Sequence, residues 1–403
     1  MKILHTADWH LGKSLHKYSL EPDNQLFLNW LIEQIRERKT DLLLVSGDIF
    51  DTANPKNSAL AMYYEFLTEL IPLNCQVIIT GGNHDSPSLL NAPRDILNLL
   101  NIAVVGTVTE NIEDELITIN DEANNPVLQV AAIPYLRDAD IRKSVAGNSY
   151  DNQLKQISEG IKTHYEALAE ILIPDVPSIA MGHLYVQGVS TSDSEREVHT
   201  IGGVAAFTSD NFPEAFDYIA LGHIHKPQRI ADSDFIRYSG SPISLSFSER
   251  KDQKYIIELT LENGKLSIPE LIDVPKFREL KRLKGTIDEV WEALEAYQSS
   301  FQLPALMEIL VEEEAYDPNH TLRFNLMNQE FENRDFAIVI SKLTYKNKVA
   351  GTAQLFATGE NVASLSPKEI FLKRIEGDEI ETQTRNELVE AFDELLREVS
   401  END

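Results

Sequence analysis

Apolar and polar positions come in blocks along this chain, and five of the apolar blocks end alike. Lys2-Ile3-Leu4 leads into Asp8 and His10, and Leu42-Leu43-Leu44-Val45 into Gly47-Asp48. Val77-Ile78-Ile79 leads into Asn83-His84, Ser178-Ile179-Ala180 into His183, and Tyr218-Ile219-Ala220-Leu221 into His223 and His225. Short apolar runs bounded by glycine and turn residues predict buried strands. Between them the spacing predicts helices over Asp23 to Lys39, Asn57 to Leu70 and Ser86 to Leu100. The first would bury Leu26, Trp30 and Leu31, with Arg36, Arg38 and Lys39 in its last turn, where cations suit the helix dipole. Met62, Tyr63, Phe66, Leu89 and Leu97 read as core of the other two. Tyr255 to Leu261 and Lys265 to Ile268 flank Glu262-Asn263-Gly264, and Asn-Gly is the strongest short hairpin signal.

The pattern changes after residue 272. Phe277 to Leu283, Leu306 to Val311 and Phe336 to Tyr345 read as strands. Ile287, Val290, Trp291, Leu294 and Tyr297 have helical spacing, and His320 to Glu332 reads as a second helix. Residues 275–345 therefore predict a small α+β domain after a larger one over residues 1–272. Residues 346–365 are polar and loop-like, a linker. Over residues 366–403, Ser366-Pro367-Lys368-Glu369 supplies an N-cap, a Pro at N1 and a Glu at N3. Phe371, Leu372 and Ile375 follow, and Leu388, Phe392, Leu395, Leu396 and Val399 share one face of a terminal helix.

The ends of the five apolar runs carry the chemistry. Residues just past strand ends converge on one edge of a sheet. Asp8 and His10 are two apart, as are His223 and His225, so in extended backbone each pair points to one side. Five of the ten histidines fall in these segments. A lone His near a strand end is usually structural and one Gly-Asp pair is only a turn, but the full set supplies ligands for two adjacent divalent metals. Such a pair stabilises both the attacking and the leaving oxygen of a phosphoryl displacement, which predicts a phosphoesterase. Gly47, Gly81, Gly82 and Gly222 would let the backbone pass close to the metals. Carboxylate, amide and imidazole donors suit Mn²⁺ or a similar borderline cation.

Asp-x-His, Gly-Asp-x-x-Asp, Gly-Asn-His-Asp and Gly-His-x-His, in this order, resemble the calcineurin-like metallophosphoesterase signature. The opening Met1-Lys2-Ile3-Leu4-His5-Thr6-Ala7-Asp8-Trp9-His10-Leu11-Gly12 is similar to the bacterial SbcD family of nuclease subunits, relatives of the Mre-type double-strand-break repair nucleases. Gly47-Asp48-Ile49-Phe50-Asp51-Thr52, Ser239-Gly240-Ser241-Pro242 and Ser246-Phe247-Ser248-Glu249 fit the same group. The resemblance runs nearly end to end. It implies an α/β fold, a metallophosphoesterase β-sandwich flanked by helices, with a capping domain that selects DNA geometry. It implies that Asp8, His10 and His225 bind one metal, that Asn83, His183 and His223 bind the other, and that Asp48 bridges them. His84, beside a ligand, is the candidate to contact the scissile phosphate or protonate the leaving oxygen, and Asp51 to orient a ligand. The expected activity is that of a metal-dependent DNA exonuclease and endonuclease in repair, recombination and replication. The expected partners are an SbcC-like ATPase docked on the C-terminal helices through Leu388, Phe392, Leu395 and Leu396, and a second copy in a homodimer.

Composition changes part of this picture. A length of 403 residues and a hydrophobic content of 42% allow two to three packed domains. One cysteine, Cys75, fits a reducing cytoplasm and reads as core rather than nucleophile. No apolar stretch predicts a signal peptide or membrane span. The net charge of −29 stands against DNA, whose binding rests on phosphate neutralisation. Local basic clusters counter it: Lys13, His16 and Lys17; Arg250 and Lys251; and Lys276, Arg278, Lys281, Arg282 and Lys284. The last run reads equally as a solvated strand edge. The rival readings are another phosphoesterase, acting on phosphoproteins or small phosphodiesters, and a non-catalytic scaffold that tethers DNA ends. There are no internal repeats, Walker-type loop or zinc-finger spacing, so any ATP use belongs to a partner.

Overall fold

A computed structural model describes residues 1–141, 150–195, 200–201, 204–205, 207–331, 334–346, 368, 371–372, 375 and 382–401. Two sheets face each other. The first has seven strands, in the order Lys265–Leu266, Tyr255–Glu262, Lys2–Thr6, Leu42–Ser46, Gln76–Thr80 and Ile102–Val105, with Glu270–Asp273 also pairing Tyr255–Glu262. The four from Lys2–Thr6 to Ile102–Val105 run parallel. The second has six strands, in the order Gln228–Ile230, Ser233–Tyr238, Tyr218–Gly222, Ser178–His183, Pro126–Ala131 and Leu116–Asn120. Asn263 and Gly264 both take positive φ in the tight turn of the expected hairpin.

The unbroken apolar runs have a packing reason, since these strands are buried on both faces. Ile3, Leu42, Leu44 and Ile78 meet Ile179, Met181, Tyr218 and Ala220 between the sheets. The alternate residues Leu4, Leu43, Val45, Val77 and Ile79 pack outward against the helices Glu21–Arg38 and Asn57–Leu70. On the second sheet Ala180, Ile219 and Leu221 pack against Ile157, Ile161, Tyr165 and Leu168 of the helix Tyr150–Glu170. Each buried leucine or isoleucine side chain contributes about 1.5–3 kcal/mol, so the strands hold their ends in place firmly.

Local details depart from the sequence pattern. The helix Glu21–Arg38 buries Phe27, Leu28, Leu31, Ile32 and Ile35, while Leu26 and Trp30 are only half-buried. The expected helix over Ser86 to Leu100 is two short ones, Pro87–Asn91 and Arg94–Asn98. Pro93 lies between them, lacks an N–H and cannot continue the first. Met62, Tyr63, Phe66 and Leu97 are buried core, as is Cys75. Burial pushes the Cys75 thiol up to about 12, which suits packing and not nucleophilic attack.

Leu280–Gly285, Ala305–Glu313 and Phe336–Tyr345 form a three-stranded sheet in that order. The chain divides into two compact units, residues 1–283 with 296–309 and 331–341, and residues 284–295 with 310–330 and 342–403. In the second, the helices Ile287–Glu295 and Pro318–Glu330 are tied by the Asp288–Arg323 pair. The terminal helix Thr382–Glu401 stacks Phe392 on Phe371 at 4.0 Å. Lys368 Nζ lies 2.6 Å from Asp393. The helix start at Ser366-Pro367, the linker residues 347–365 and the Leu395 side chain lie outside the described residues. Among the described residues no helix is long and apolar enough to cross a membrane.

Candidate metal centre

Parallel pairing puts the C-terminal ends of Lys2–Thr6, Leu42–Ser46 and Gln76–Thr80 on one sheet edge. Pairing continues past the strands: Asp8 N–H donates to Gly47 O at 3.1 Å and His10 N–H to Asp48 O at 3.0 Å. On the second sheet Gly222 pairs with His183, so His183, His223 and His225 leave adjacent strand ends. Ser46 Oγ donates to Ala220 O at 3.0 Å and joins the two sheets at this edge.

The backbone is strained where the ligand candidates sit. Asp8 (φ 55°), His10 (φ 46°), Asp48 (φ 52°) and His223 (φ 99°) all take left-handed conformations. Each costs about 1–3 kcal/mol and persists because the surrounding structure enforces it. The close approach also needs missing side chains. A Cβ on Gly82 would collide with Asp48, and one on Gly222 with the Ser46 carbonyl.

Three interlocked groups of donors result: Asp8, His10 and His225; His10, Asp48 and His84; and Asp48, His183 and His223, each with ligand atoms within 4.8 Å of one another. Asp48 Oδ2 lies 3.5 Å from His10 Nε2 and 3.3 Å from His183 Nε2, between the first and last groups. Asn83 Oδ1 lies 2.9 Å from His183 Nε2 and 3.1 Å from His223 Nδ1. All these residues except Asn83 are buried, with Asp8 and His10 at 0% exposure.

The donor set fits divalent cations. His183 Nδ1–H donates to Ser46 O at 3.0 Å, so a neutral His183 turns a bare Nε2 toward the oxygens of Asp48 and Asn83. His10 Nε2 and His225 Nε2 face each other at 3.0 Å. Asp8 Oδ1 accepts the His223 N–H at 2.8 Å, while the buried Asp8 Oδ2 has no hydrogen-bond partner among the described residues. Lone pairs converging in a buried site require positive charge. The protonation equilibria say the same. Burial pulls the His183 imidazolium down, but Asp48 and Asp8 outweigh it and push it up to about 9. Burial raises the Asp8 carboxyl to about 7, against the lowering effect of His183.

A supporting layer surrounds these donors. Asp51 Oδ1 is 3.3 Å from His10 Nδ1 and 2.8 Å from Lys13 Nζ. His84 N–H donates to Asp48 Oδ1 at 2.9 Å, and its Nδ1–H donates to Asp51 O at 2.6 Å. His84 is thus at the donor cluster, close enough to His10 and Asp48 to share an ion with them. Asp85, within a motif but given no role by the sequence, accepts the N–H groups of Gly82, Ile49 and Phe50 at 2.8–3.1 Å. It fastens the Asn83 loop to the Asp48 loop. Ser194, Glu195 and Lys254, behind His225, also had no sequence signal, and Glu249 appeared only within the Ser246-Phe247-Ser248-Glu249 resemblance, which gave it no role. They stand 24 to 31 residues from His225, and only folding assembles them.

The basic candidates are largely engaged. Lys13 is held by Asp51, and Arg250 Nη1 donates to Phe247 O at 3.0 Å. His16, Lys17 and Lys251 are exposed. In the densest run, Arg278 pairs with Asp23 at 2.9 Å, Lys284 with Glu312 at 3.4 Å, and Arg282 with Glu308. Lys281 Nζ sits 4.5 Å from the Tyr297 ring. In the terminal helix Leu388 is exposed, and Phe392 and Leu396 are half-buried.

Comparison with known proteins gives the chain a family. The calcineurin-like phosphoesterase family model matches residues 1–227, and the model of the type 5 capsule protein repressor C-terminal domain matches residues 276–379. The SbcD component of the SbcCD nuclease from Escherichia coli (strain K12) is 34% identical over 404 residues, covering 98% of each chain. The Rhodobacter capsulatus protein of that name is 35% identical over 73% of this chain and 75% of its own. The Staphylococcus epidermidis one is 32% identical over 72% and 74%. The chain belongs to the calcineurin-like phosphoesterases and, within them, to the SbcD family of nuclease subunits.

Proposed function

We infer that this chain is a metal-dependent DNA nuclease that hydrolyses phosphodiesters in concert with an SbcC-like ATPase, serving DNA repair, recombination and replication. The observation that carries the reading is the convergence of Asp8, His10, Asp48, Asn83, His183, His223 and His225 on one buried sheet edge in a chain similar to nuclease subunits over nearly its whole length. In this assignment Asp8, His10 and His225 hold one divalent ion, Asn83, His183 and His223 hold a second, and Asp48 is common to both. Bound ions supply Lewis acidity and a water of lowered pKa as nucleophile. The donor chemistry favours Mn²⁺.

The chain's own groups do the rest. Asp51 and the Ser46 carbonyl fix the rings of His10 and His183. His84 gives its Nδ1 proton to Asp51 O, and its imidazole is the group to contact the scissile phosphate or return a proton to the leaving oxygen. Residues 1–272 form the nuclease domain, and residues 275–345 form the capping domain that selects DNA geometry. Beyond the linker 346–365, the helices of 366–403 dock the ATPase. Among the described candidates, the exposed Lys17, Lys251 and Lys276 are available for the DNA backbone, with His16 exposed beside Lys17. The working form is a cytoplasmic homodimer.

A Mn²⁺-dependent assay on labelled duplex, single strand and an aryl phosphodiester tests this reading. Cleavage of both DNA forms is expected, with Asp48→Asn near background because it weakens the ligand common to both ions. Diester hydrolysis without DNA cleavage would support the other phosphoesterase reading, which the paired state of Arg278, Arg282 and Lys284 favours. Metal binding with no hydrolysis would leave the tethering scaffold.

A further inference from the structure

Among the described residues, the ring of His225 is held from behind by side chains. Its Nδ1 lies 2.6 Å from Ser194 Oγ, and the same hydroxyl lies 2.7 Å from Glu249 Oε1. A serine hydroxyl has one proton to donate. Glu249 is fully buried and pairs through Oε2 with Lys254 Nζ at 2.6 Å. It therefore stands as a carboxylate, which accepts hydrogen bonds and offers none. Ser192 Oγ, at 2.7 Å, is a third neighbour of this hydroxyl, but a hydrogen bond to the charged Glu249 carboxylate is the strongest of the three, so the Ser194 proton goes to Glu249. The Ser194 oxygen then accepts from His225, which places the ring proton on Nδ1 and leaves Nε2 bare toward His10.

The grip extends to the backbone. Lys254 Nζ also donates to His225 O and to Ser241 Oγ, each at 3.0 Å, and the His225 N–H donates to Glu195 Oε1 at 2.9 Å. His183 and His84 contrast with this, since their Nδ1 protons go to the backbone carbonyls of Ser46 and Asp51. No substitution removes those acceptors. The acceptor behind His225 is a removable side chain.

We propose that Ser194 and Glu249, with Lys254 behind them, are positioning residues: a carboxylate–hydroxyl relay that fixes His225 as its Nδ1–H tautomer and keeps Nε2 free for a divalent metal. This rests on His225 being a metal ligand, as assigned above. Partners behind a ligating histidine typically govern metal affinity by about 10–100-fold, so the relay sets the affinity of one ion position without touching the ion.

The test uses the full chain with ¹⁵N-labelled histidine side chains, stripped of metal, and long-range ¹H–¹⁵N correlation. The His225 signals are identified by their loss in His225→Gln. The expected result is a protonated Nδ1 and a bare Nε2, with the two tautomers mixed in Ser194→Ala. Calorimetric titration with Mn²⁺ should show one binding event weakened about 10–100-fold in Ser194→Ala and in Glu249→Gln, and restored to within a few-fold in Ser194→Thr, which keeps the hydroxyl. A proton on Nε2 in the unsubstituted chain would overturn the proposal, and that reading needs no variant to fold. So would full Mn²⁺ affinity in Ser194→Ala while His225→Gln loses it. Full affinity in His225→Gln itself would instead remove the ligand assignment on which the relay depends.

Discussion

At the scale of single residues, His84 and His5 show how differently a buried imidazole can be used. His84 lies among donors of the metal centre, yet its Nδ1 proton is committed to Asp51 O. His84→Gln keeps hydrogen bonding and approximate size but cannot donate from an imidazolium. The expected outcome is a cleavage rate lower by about 10²–10⁴-fold with metal content near that of the parent. His223→Gln should instead lower the Mn²⁺ stoichiometry, so measuring metal content beside rate in both variants separates the roles. Equal metal loss in the two would make His84 a ligand. His5 serves the fold: it lies between the sheets with Nδ1 3.0 Å from Tyr218 Oη, and burial lowers its pKa to about 3. The unfolded chain binds this proton below about 6.5 and the folded chain only near 3, so stability falls as pH drops through that window. Between pH 7 and pH 5 the loss from His5 amounts to about 2 kcal/mol. In urea unfolding, His5→Phe should reduce the pH 7 to pH 5 difference by that amount, and an unchanged difference would show that His5 does not carry it.

At the scale of elements, the strands and the turns after them divide the labour. The strands hold the site rigid through two buried faces, while the turns carry the left-handed residues Asp8, His10, Asp48 and His223. The C-terminal helices work differently. Phe371 and Phe392 stack face to face, and Lys368 pairs with Asp393, so the two segments of residues 366–403 support each other and should be removed together. That deletion should leave metal-dependent hydrolysis of a small diester intact and abolish co-purification with an SbcC-like ATPase. A deleted chain that is insoluble would mean instead that the Leu388, Phe392 and Leu396 face completes this protein's own core.

At the scale of the whole molecule, charge is the quantity to explain. A net charge of −29 opposes DNA, and the densest basic run offers little relief, because Arg278, Arg282 and Lys284 each face a carboxylate. Among the described candidates, the exposed lysines that face no carboxylate are Lys17, Lys251 and Lys276, beside the exposed His16. For duplex DNA the salt dependence of log K has a slope of about −0.9 per phosphate neutralised. The isolated chain should therefore give a shallow slope, no steeper than about −3, and addition of the ATPase partner should steepen it. Fluorescence anisotropy across a salt series reads this directly. A steep slope for the isolated chain would reveal a basic surface that the paired cations do not supply.

How much was legible in the sequence follows the range of each interaction. The five strands announced themselves because burial on both faces demands unbroken apolar runs, and the donor residues follow those runs immediately. The helix Asn57–Leu70 and the Asn263-Gly264 turn were legible for the same local reason. The buried face of Glu21–Arg38 was not, since its apolar residues spread over more than half of the helix circumference and only the neighbouring sheet selects Phe27 and Leu28 over Leu26 and Trp30. The break at Pro93 has a local signal in the missing N–H, although the apolar spacing on either side of it suggests one continuous helix. What tertiary structure alone decided is the surroundings of the donors. Asp85 clamps two loops, Ser46 O and Asp51 O orient His183 and His84, and Ser194, Glu249 and Lys254 stand behind His225. These roles depend on which atoms from distant segments come within about 3 Å of one another. A local pattern of apolar and polar residues specifies the strand that carries a side chain, but not the partner it meets across the fold.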